Sequence, residues 1–433
     1  MKRYTYRQAL RDIYSLQKFG IKFGLSKTSN ILKAFGSPHK KKTYIHIAGT
    51  NGKGSVAAFI SSVLKEAGYK VGLYTSPHLV RFTERLKING DEISRDEAAR
   101  LIFRIKEAFV PDEPPTFFEA VTAMAIIYFS EQETDIDVME VGMGGRLDAT
   151  NVVNPIVSVI TNIGLEHQQF LGSRLIDIAR EKAGIIKEGV DLITGVSQPE
   201  IIRFFLDTTR EKRSPFFRIG EHIRYRMCNG KINYYGINQT LKGIESGIRG
   251  IFQPRNVAIA IGALEIVKER GFQIPEDAIY RGIKKTFWPG RMHVLSGRRK
   301  IILDGAHNPF AIRMLAKAIK KEFAGKRFVL VMGVMKDKDI KGMLSKIVPL
   351  AHHVIYTRPL YSRSAPAELL EFYGRKFHKS GEIVSDLKDA INRAGEVAKE
   401  EDLILITGSL FTVGEALAYL DPENYRPDEI TEC

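Results

Sequence analysis

Residues 44–67 read YIHIAGTNGKGSVAAFISSVLKEA. Tyr44 to Ala48 suit a short buried strand, and Val56, Phe59, Ile60, Val63, Leu64 and Ala67 recur at the spacing of one helix face before Gly68 supplies a stop. Between them, Gly49-Thr50-Asn51-Gly52-Lys53-Gly54-Ser55 is a glycine-bearing turn from strand into helix. Glycines there let backbone N–H groups face an anion, and the helix N-terminus adds partial positive charge. Lys53 brings an ammonium to the β- and γ-oxygens of a nucleotide. The turn departs twice from the common phosphate-loop spacing: Ile47 stands where a first glycine would, and Gly54 separates Lys53 from Ser55.

Outward from this unit the chain keeps the same grammar. DIDVMEVG (135–142) and IVSVITNIG (156–164) repeat the short apolar run ending in glycine. A second series begins near Lys300 with KIILDGAHNP, RFVLVMGVMKDKDI, HHVIYTRPL and DLILITGSLFTVGEAL. Such alternation predicts an α/β fold with mostly parallel sheets, whose ligand sites lie beyond the strand ends. Residues 215–250 change to polar–apolar alternation around a CNGK turn, which predicts a small antiparallel region. The Gly-, Pro- and Arg-rich stretch at 286–299 reads as a linker, giving an expected first domain over 1–290 and a second over 291–433.

Composition narrows the class. The 433 residues carry a formal charge of +15, which in general points toward nucleic acid, an anionic membrane or a polyanionic ligand. Residues 1–50, however, hold eleven Lys or Arg and one acid, Asp12, so +10 of the excess is local. Cys228 and Cys433 are too few for a disulfide framework and too far apart for a zinc cluster. No run approaches the ~18–20 apolar residues a spanning helix needs, and the N-terminus lacks a secretory apolar core. The expectation is a cytoplasmic protein in a reducing compartment, without a membrane partner.

Two groups of polar residues fall at strand ends. Glu140 closes DIDVMEV ahead of glycines, where a carboxylate suits a phosphate-bound cation. Asp304 and His307 follow KIIL, where they could pair as base and orienter or simply make a turn, and Ser409 follows another strand.

The longer strings HIAGTNGKGSVAAFISSVLKEAGYKVGLYTSPHLVRFTERLKING, TFFEAVTAMA, EVGMGGRLDATN, LEHQQFLG, REKAGIIK and DGAHNP together resemble the folylpolyglutamate synthase/dihydrofolate synthase family of the Mur ligase superfamily. The resemblance spans nearly the whole chain. It implies a P-loop ATPase domain followed by a Rossmann-like domain, and an ATP-dependent ligase that adds L-glutamate to folates through an acyl phosphate. By the same resemblance, residues 49–55 with Asn256, Arg291 and Asp304 bind ATP. Ser76, Glu140 and His167 surround Mg²⁺, and Lys182 is carbamylated to support a second ion. Arg81, Arg85 and Asp148 meet the pterin-bearing substrate, and His307 and Ser409 the incoming glutamate. Lys53, Lys182, Asp304 and His307 are the catalytic candidates. Phe252 stands where the family has a histidine before Gln253.

The acceptors expected are tetrahydrofolate and also dihydropteroate. A Mur-type peptidoglycan-precursor ligase and a nucleic-acid-dependent P-loop ATPase are the competing readings, the latter prompted by the basic N-terminal segment. Small-molecule substrates, no nucleic acid and a monomer are expected. Lys40, Lys41 and Lys42, just ahead of the first strand, are candidates for attracting anionic ligands, with a solubilising face as the alternative.

Overall fold

The computed structural model describes residues 4–20, 22–297, 299–377 and 381–430; Cys433 lies outside them, and Cys228 is exposed and unbridged. The chain divides into two compact units. One comprises residues 1–78, 83–247 and 253–287, the other residues 79–82, 248–252 and 288–433.

The first unit is built on an eight-stranded sheet. Its strands are β1 (Tyr44–Ala48), β2 (Val71–Tyr74), β3 (Leu86–Ile88), β4 (Asp91–Glu92), β5 (Ile136–Glu140), β6 (Val157–Ile160), β7 (Asp191–Thr194) and β8 (Phe216–Arg218), in the order β4-β3-β2-β5-β1-β6-β7-β8. From β2 to β8 all neighbours are parallel, and β3 and β4 add an antiparallel edge. The central strands β1, β5, β6 and β7 are buried along their whole length, which is why they read as continuous apolar runs rather than alternating ones.

The antiparallel region is smaller than expected. Phe216–Arg218 joins β7 in parallel at the sheet edge, because the helix Pro199–Glu211 supplies the crossover a parallel strand needs. The separate sheet is β9 (Arg224–Cys228), β10 (Lys231–Tyr235) and β11 (Thr240–Ile244). Asn229 and Gly230 both take positive φ, 49° and 77°, as a two-residue turn between antiparallel strands requires. Buried Glu265, on the helix Gln253–Glu269, ties this sheet down: it accepts from the Tyr234 hydroxyl and from the N–H groups of Ile237, Asn238 and Gln239.

The second unit has β12 (His293–Leu295), β13 (Lys300–Asp304), β14 (Phe328–Met332), β15 (His353–Arg358), β16 (Gly381–Asp386) and β17 (Leu403–Thr407), ordered β12-β13-β17-β14-β15-β16. β12 lies inside the stretch read as linker and pairs antiparallel with β13; the other pairs are parallel. Leu330 and Met332 enter one apolar cluster with Ile312 and Met343, while Val329 and Val331 enter another with Leu387 and Ile391. The two-residue period of the strand thus feeds both faces. Two short segments from elsewhere in the chain complete this unit. Phe82 N–H donates to Asp428 (2.9 Å) and Arg81 to the Asn424 carbonyl (2.9 Å). A Cβ on Gly414 would fall 1.9 Å from the Leu79 carbonyl oxygen.

Among the described residues no helix is long and apolar enough to cross a membrane. Lys42 donates to the Thr134 carbonyl at the N-terminal end of β1. That end is separated from the glycine-bearing turn by a five-residue strand, roughly 16 Å, so Lys42 does not face the turn. Asp137, beside Tyr44 across the β5–β1 pairing, has one oxygen bonded by Thr134 Oγ1 (2.5 Å) and the other buried without a partner. Burial pushes its carboxyl up to about 7, against the pull of Thr134 and Lys42.

The folded state therefore favours protonated Asp137. That stabilisation is complete below about pH 4 and is lost as the pH rises through about 7, with a ceiling of about 4 kcal/mol. Asp137→Asn keeps the acceptor for Thr134 and carries no charge. Its thermal midpoint should gain on the wild type progressively from about pH 5 to about pH 8; a gap that stays constant over that range would show that Asp137 does not titrate there.

Candidate active site

The turn after β1 is held by the segment leaving β6, its neighbour in the sheet. Asn51 N–H donates to Asn162 Oδ1 (3.0 Å), while Asn162 Nδ2 and Thr161 Oγ1 donate to the Asn51 carbonyl (2.8 and 2.7 Å). Thr50 Oγ1 bonds the carbonyl and the N–H of Gly164 (3.1 and 3.0 Å). Gly49 has φ 144°, and a Cβ there would fall 1.9 Å from Thr161 Oγ1, so the glycine is a steric requirement. Gly52, at φ 85°, precedes the helix Lys53–Glu66. Asn256 stands directly over it, its Oδ1 2.8 Å from where a Cβ would be, while Asn256 Nδ2 donates to Gln253 (3.0 Å).

Two lysines converge on one carbonyl. Lys53 Nζ and Lys182 Nζ each donate to the Gly49 oxygen (3.0 Å), and Lys182 is completely buried on the helix Leu175–Ala183. Its counter-ion is Glu166, at 2.9 Å. Burial raises Glu166, but the charges of Lys182 and Lys53 outweigh it and hold the carboxyl below its ordinary value. Burial moves Lys182 down, only partly opposed by Glu166. The sequence reading passed over Glu166, although it adjoins His167 in LEHQ. It equally passed over Thr161, Asn162 and Gly164, whose signal was the glycine-ended run IVSVITNIG.

Glu140 ends β5 opposite Ile47 of β1, which brings its carboxylate to the same sheet edge as the turn. The Ser76 N–H donates to Glu140 Oε2 (3.1 Å), so these two are together. His167 has a left-handed backbone, φ 47°, at the start of the short helix Gln168–Leu171, a conformation that a non-glycine residue adopts at a cost. A carboxylate and a hydroxyl are hard oxygen donors, and Mg²⁺ or Mn²⁺ accepts such a loose set completed by water. The donors fit a divalent cation.

Asp148 is buried. Its Oδ1 accepts from Thr150 N–H and Oγ1 (3.0 and 2.6 Å), and its Oδ2 from Met143 N–H (2.8 Å). Burial still leaves its carboxyl raised. Since the Thr150 hydroxyl donates to Asp148, it must accept from His46 Nε2 (2.8 Å), and burial holds that imidazole neutral, down to about 3. Arg85 is also buried, donating from Nε to His78 Nδ1 (2.8 Å) with its guanidinium over the Phe117 ring. These contacts make Asp148 and Arg85 shapers of their loops.

In the second unit Asp304 receives N–H bonds from Met292 (2.9 Å) and Ala306 (3.0 Å). Burial raises its carboxyl, with Arg291 the first opposing influence. An added Cβ on Gly305 would lie 2.8 Å from Arg291 Nη1, so Arg291 and the Asp304 turn are together. His307 Nδ1 lies 2.8 Å from the Gly305 carbonyl. A carbonyl only accepts, so in this contact Nδ1 carries a proton. Ser409 is buried as a helix cap, accepting from Thr412 N–H (2.9 Å). Phe252 packs its ring against Phe310 (5.6 Å between centroids).

Residues 47–264 match the Mur ligase middle domain, and residues 290–410 the Mur ligase glutamate ligase domain. The dihydrofolate synthase/folylpolyglutamate synthase of Bacillus subtilis is 35% identical over 423 residues, covering 95% of this chain and 98% of that protein. Escherichia coli FolC in complex with DHPP and ADP has a TM-score of 0.89 at 33% identity, over 97% of this chain and 98% of that one. The bifunctional folylpolyglutamate synthase/dihydrofolate synthase from Yersinia pestis, complexed with AMPPNP and Mn ion, has a TM-score of 0.86 at 30% identity, over 96% and 98%.

Removing one member of the Lys182–Glu166 pair strands the other charge in the interior. Lys182→Met should cost about 3–5 kcal/mol in urea unfolding, and the double variant Lys182→Met/Glu166→Gln should recover most of it. Equal losses in the two variants would show that the pair is not held as an ion pair.

Proposed function

The chain belongs to the folylpolyglutamate synthase/dihydrofolate synthase family of Mur ligases, and from that premise we propose how its residues divide the work. It is an ATP-dependent amide-forming ligase that adds glutamate to a folate acceptor, and it uses ATP and a divalent metal. Similarity along nearly the whole length to folate enzymes disfavours a peptidoglycan-precursor ligase and a nucleic-acid-dependent ATPase. The observation that carries the reading is the pinned turn at 49–55 with two lysines converging beside it.

A carboxylate cannot expel oxide, so the acceptor carboxylate first takes the γ-phosphoryl of ATP, giving an acyl phosphate and ADP. The backbone N–H groups of Gly52, Lys53, Gly54 and Ser55, at the start of the helix, hold the phosphates and Lys53 neutralises their charge. Lys53 leaves the Gly49 carbonyl for the phosphates. Ser76, Glu140 and His167 would hold Mg²⁺, which would supply further charge neutralisation at the γ-phosphoryl. Arg291, kept in place by Asp304, serves the same transferring group. Asn256 contacts the adenine.

The amine of L-glutamate then attacks the acyl carbon, the C–O bond to phosphate breaks, and phosphate leaves. Before it attacks, the amine must lose a proton, and His307, whose Nδ1 is turned to the Gly305 carbonyl, is the residue assigned to take it. Ser409, as a helix cap, shapes the loop on which the glutamate rests. Arg81, Arg85 and Asp148 set the loops that receive the pterin-bearing acceptor.

Lys182 reacts with CO₂ as its neutral amine, forming a carbamate and releasing one proton. Its burial favours the neutral amine; the carbamate would replace the ammonium that pairs with Glu166, and a second cation would then compensate both anions. Both tetrahydrofolate and dihydropteroate are acceptors, the ligands are small molecules rather than nucleic acid, and the protein is a monomer.

Product mass spectrometry with ATP, Mg²⁺, glutamate and each acceptor should show one added glutamyl unit per ADP formed, with both acceptors. Turnover of tetrahydrofolate without dihydropteroate would remove the dual activity. Lys53→Ala should lower kcat by about 10²–10³-fold with little change in the thermal midpoint. Carbon-13-labelled bicarbonate should give a carbamate NMR resonance that Lys182→Met abolishes; no such resonance in active wild-type enzyme would exclude the modification.

A further inference from the structure

Arg255 lies outside the machinery assigned above. It sits in the first turn of the helix Gln253–Glu269, one residue before Asn256. Its Nε is buried with no hydrogen-bond partner. Among the described residues no carboxylate pairs with it, and its one electrostatic neighbour of note is the Tyr225 phenol. A partly buried guanidinium without an anion is an unfavourable arrangement, unlike a surface arginine whose head lies in water.

Its seat is built by packing. An added Cβ on Gly195 would fall 3.2 Å from Arg255 Nε, 2.8 Å from Ile259 Cδ1 and 2.3 Å from the Thr161 carbonyl oxygen. The missing side chain at Gly195 is therefore what lets the guanidinium lie against the exits of β6 and β7. Thr161 is also the residue whose hydroxyl holds the Asn51 carbonyl (2.7 Å), and Asn256, on the same helical turn, stands over Gly52. Two elements that fix the phosphate loop thus also fix the position of Arg255.

We propose that Arg255 binds the α-phosphate of the nucleotide. The proposal rests on the reading of residues 49–55 as the nucleotide site. Lys53 and the loop amides serve the β- and γ-phosphates, and Asn256 is assigned to the base; the phosphate between these two is the α-phosphate. A guanidinium gives phosphate oxygens a two-pronged, charge-assisted contact, and the ligand's charge compensates the partnerless cation.

Calorimetric binding of adenosine, AMP and ADP to the intact enzyme tests this with Arg255→Met, which keeps the apolar stem, and Arg255→Lys, which keeps the charge. The Met variant should lose about tenfold or more in affinity for AMP and ADP while adenosine stays within about twofold, and the Lys variant should regain part of the loss. AMP and ADP affinities that stay within about twofold in the Met variant would overturn the assignment. An equal loss for adenosine and AMP would also overturn it, because it would mean a base contact or a damaged fold. Wild-type enzyme that binds no ADP would instead remove the nucleotide reading beneath it, and the proposal with it.

Discussion

The close approach of two strand exits at Gly49 is the constraint on which the active end of the first unit depends. β1 and β6 are parallel neighbours in register from Ile45 and Val157 to Ala48 and Ile160, so their following residues emerge side by side. The space between them is too small for a side chain: a Cβ at position 49 would occupy the place of the Thr161 hydroxyl. With that hydroxyl in place, Asn51 is held from two sides and the Gly49 carbonyl points where both Lys53 and Lys182 reach it. Glu166 then compensates the buried Lys182, with Lys53 close by. Sheet register, steric exclusion and charge compensation form one chain of causes.

Much of this was readable in advance. The strand–turn–helix at 44–67 carries its own periods and glycines, and the second βα series repeats the pattern, because continuous apolar strands and helical stripes are written locally. The partners of the turn were not readable in the same way. Thr161, Asn162 and Glu166 are ordinary residues whose importance comes from the pairing of β1 with β6 and from the placing of Lys182, contacts spanning more than a hundred positions in sequence. Lys182 lies in a charged stretch, REKAGIIK, and the family resemblance rather than its own pattern singles it out; its complete burial is a tertiary fact. Phe216–Arg218 and His293–Leu295 show the same limit at the scale of strands, since an edge strand of three residues has too little pattern to declare its partner.

The charge excess has a structural location as well as a local sequence one. Basic residues of the N-terminal segment are used in packing: Lys42 binds the Thr134 carbonyl and Lys27 the Pro114 carbonyl. At the phosphate loop the cations are few and placed. An overall charge of +15 therefore says less about the ligand than Lys53, Lys182 and Arg255 do, each held at a known backbone position.

The path of the chain has a consequence for how such an enzyme can be altered. Residues 79–82 and 248–252 are packed into the second unit although long stretches of the first unit precede and follow them. A cut near residue 288 would leave the carboxy-terminal piece without the strip that lies on Gly414 and Asp428. The halves are not interchangeable cassettes, and recombination between relatives would have to carry residues 79–82, 248–252 and 288–433 together. Variation in any one of these three segments is answerable to the other two.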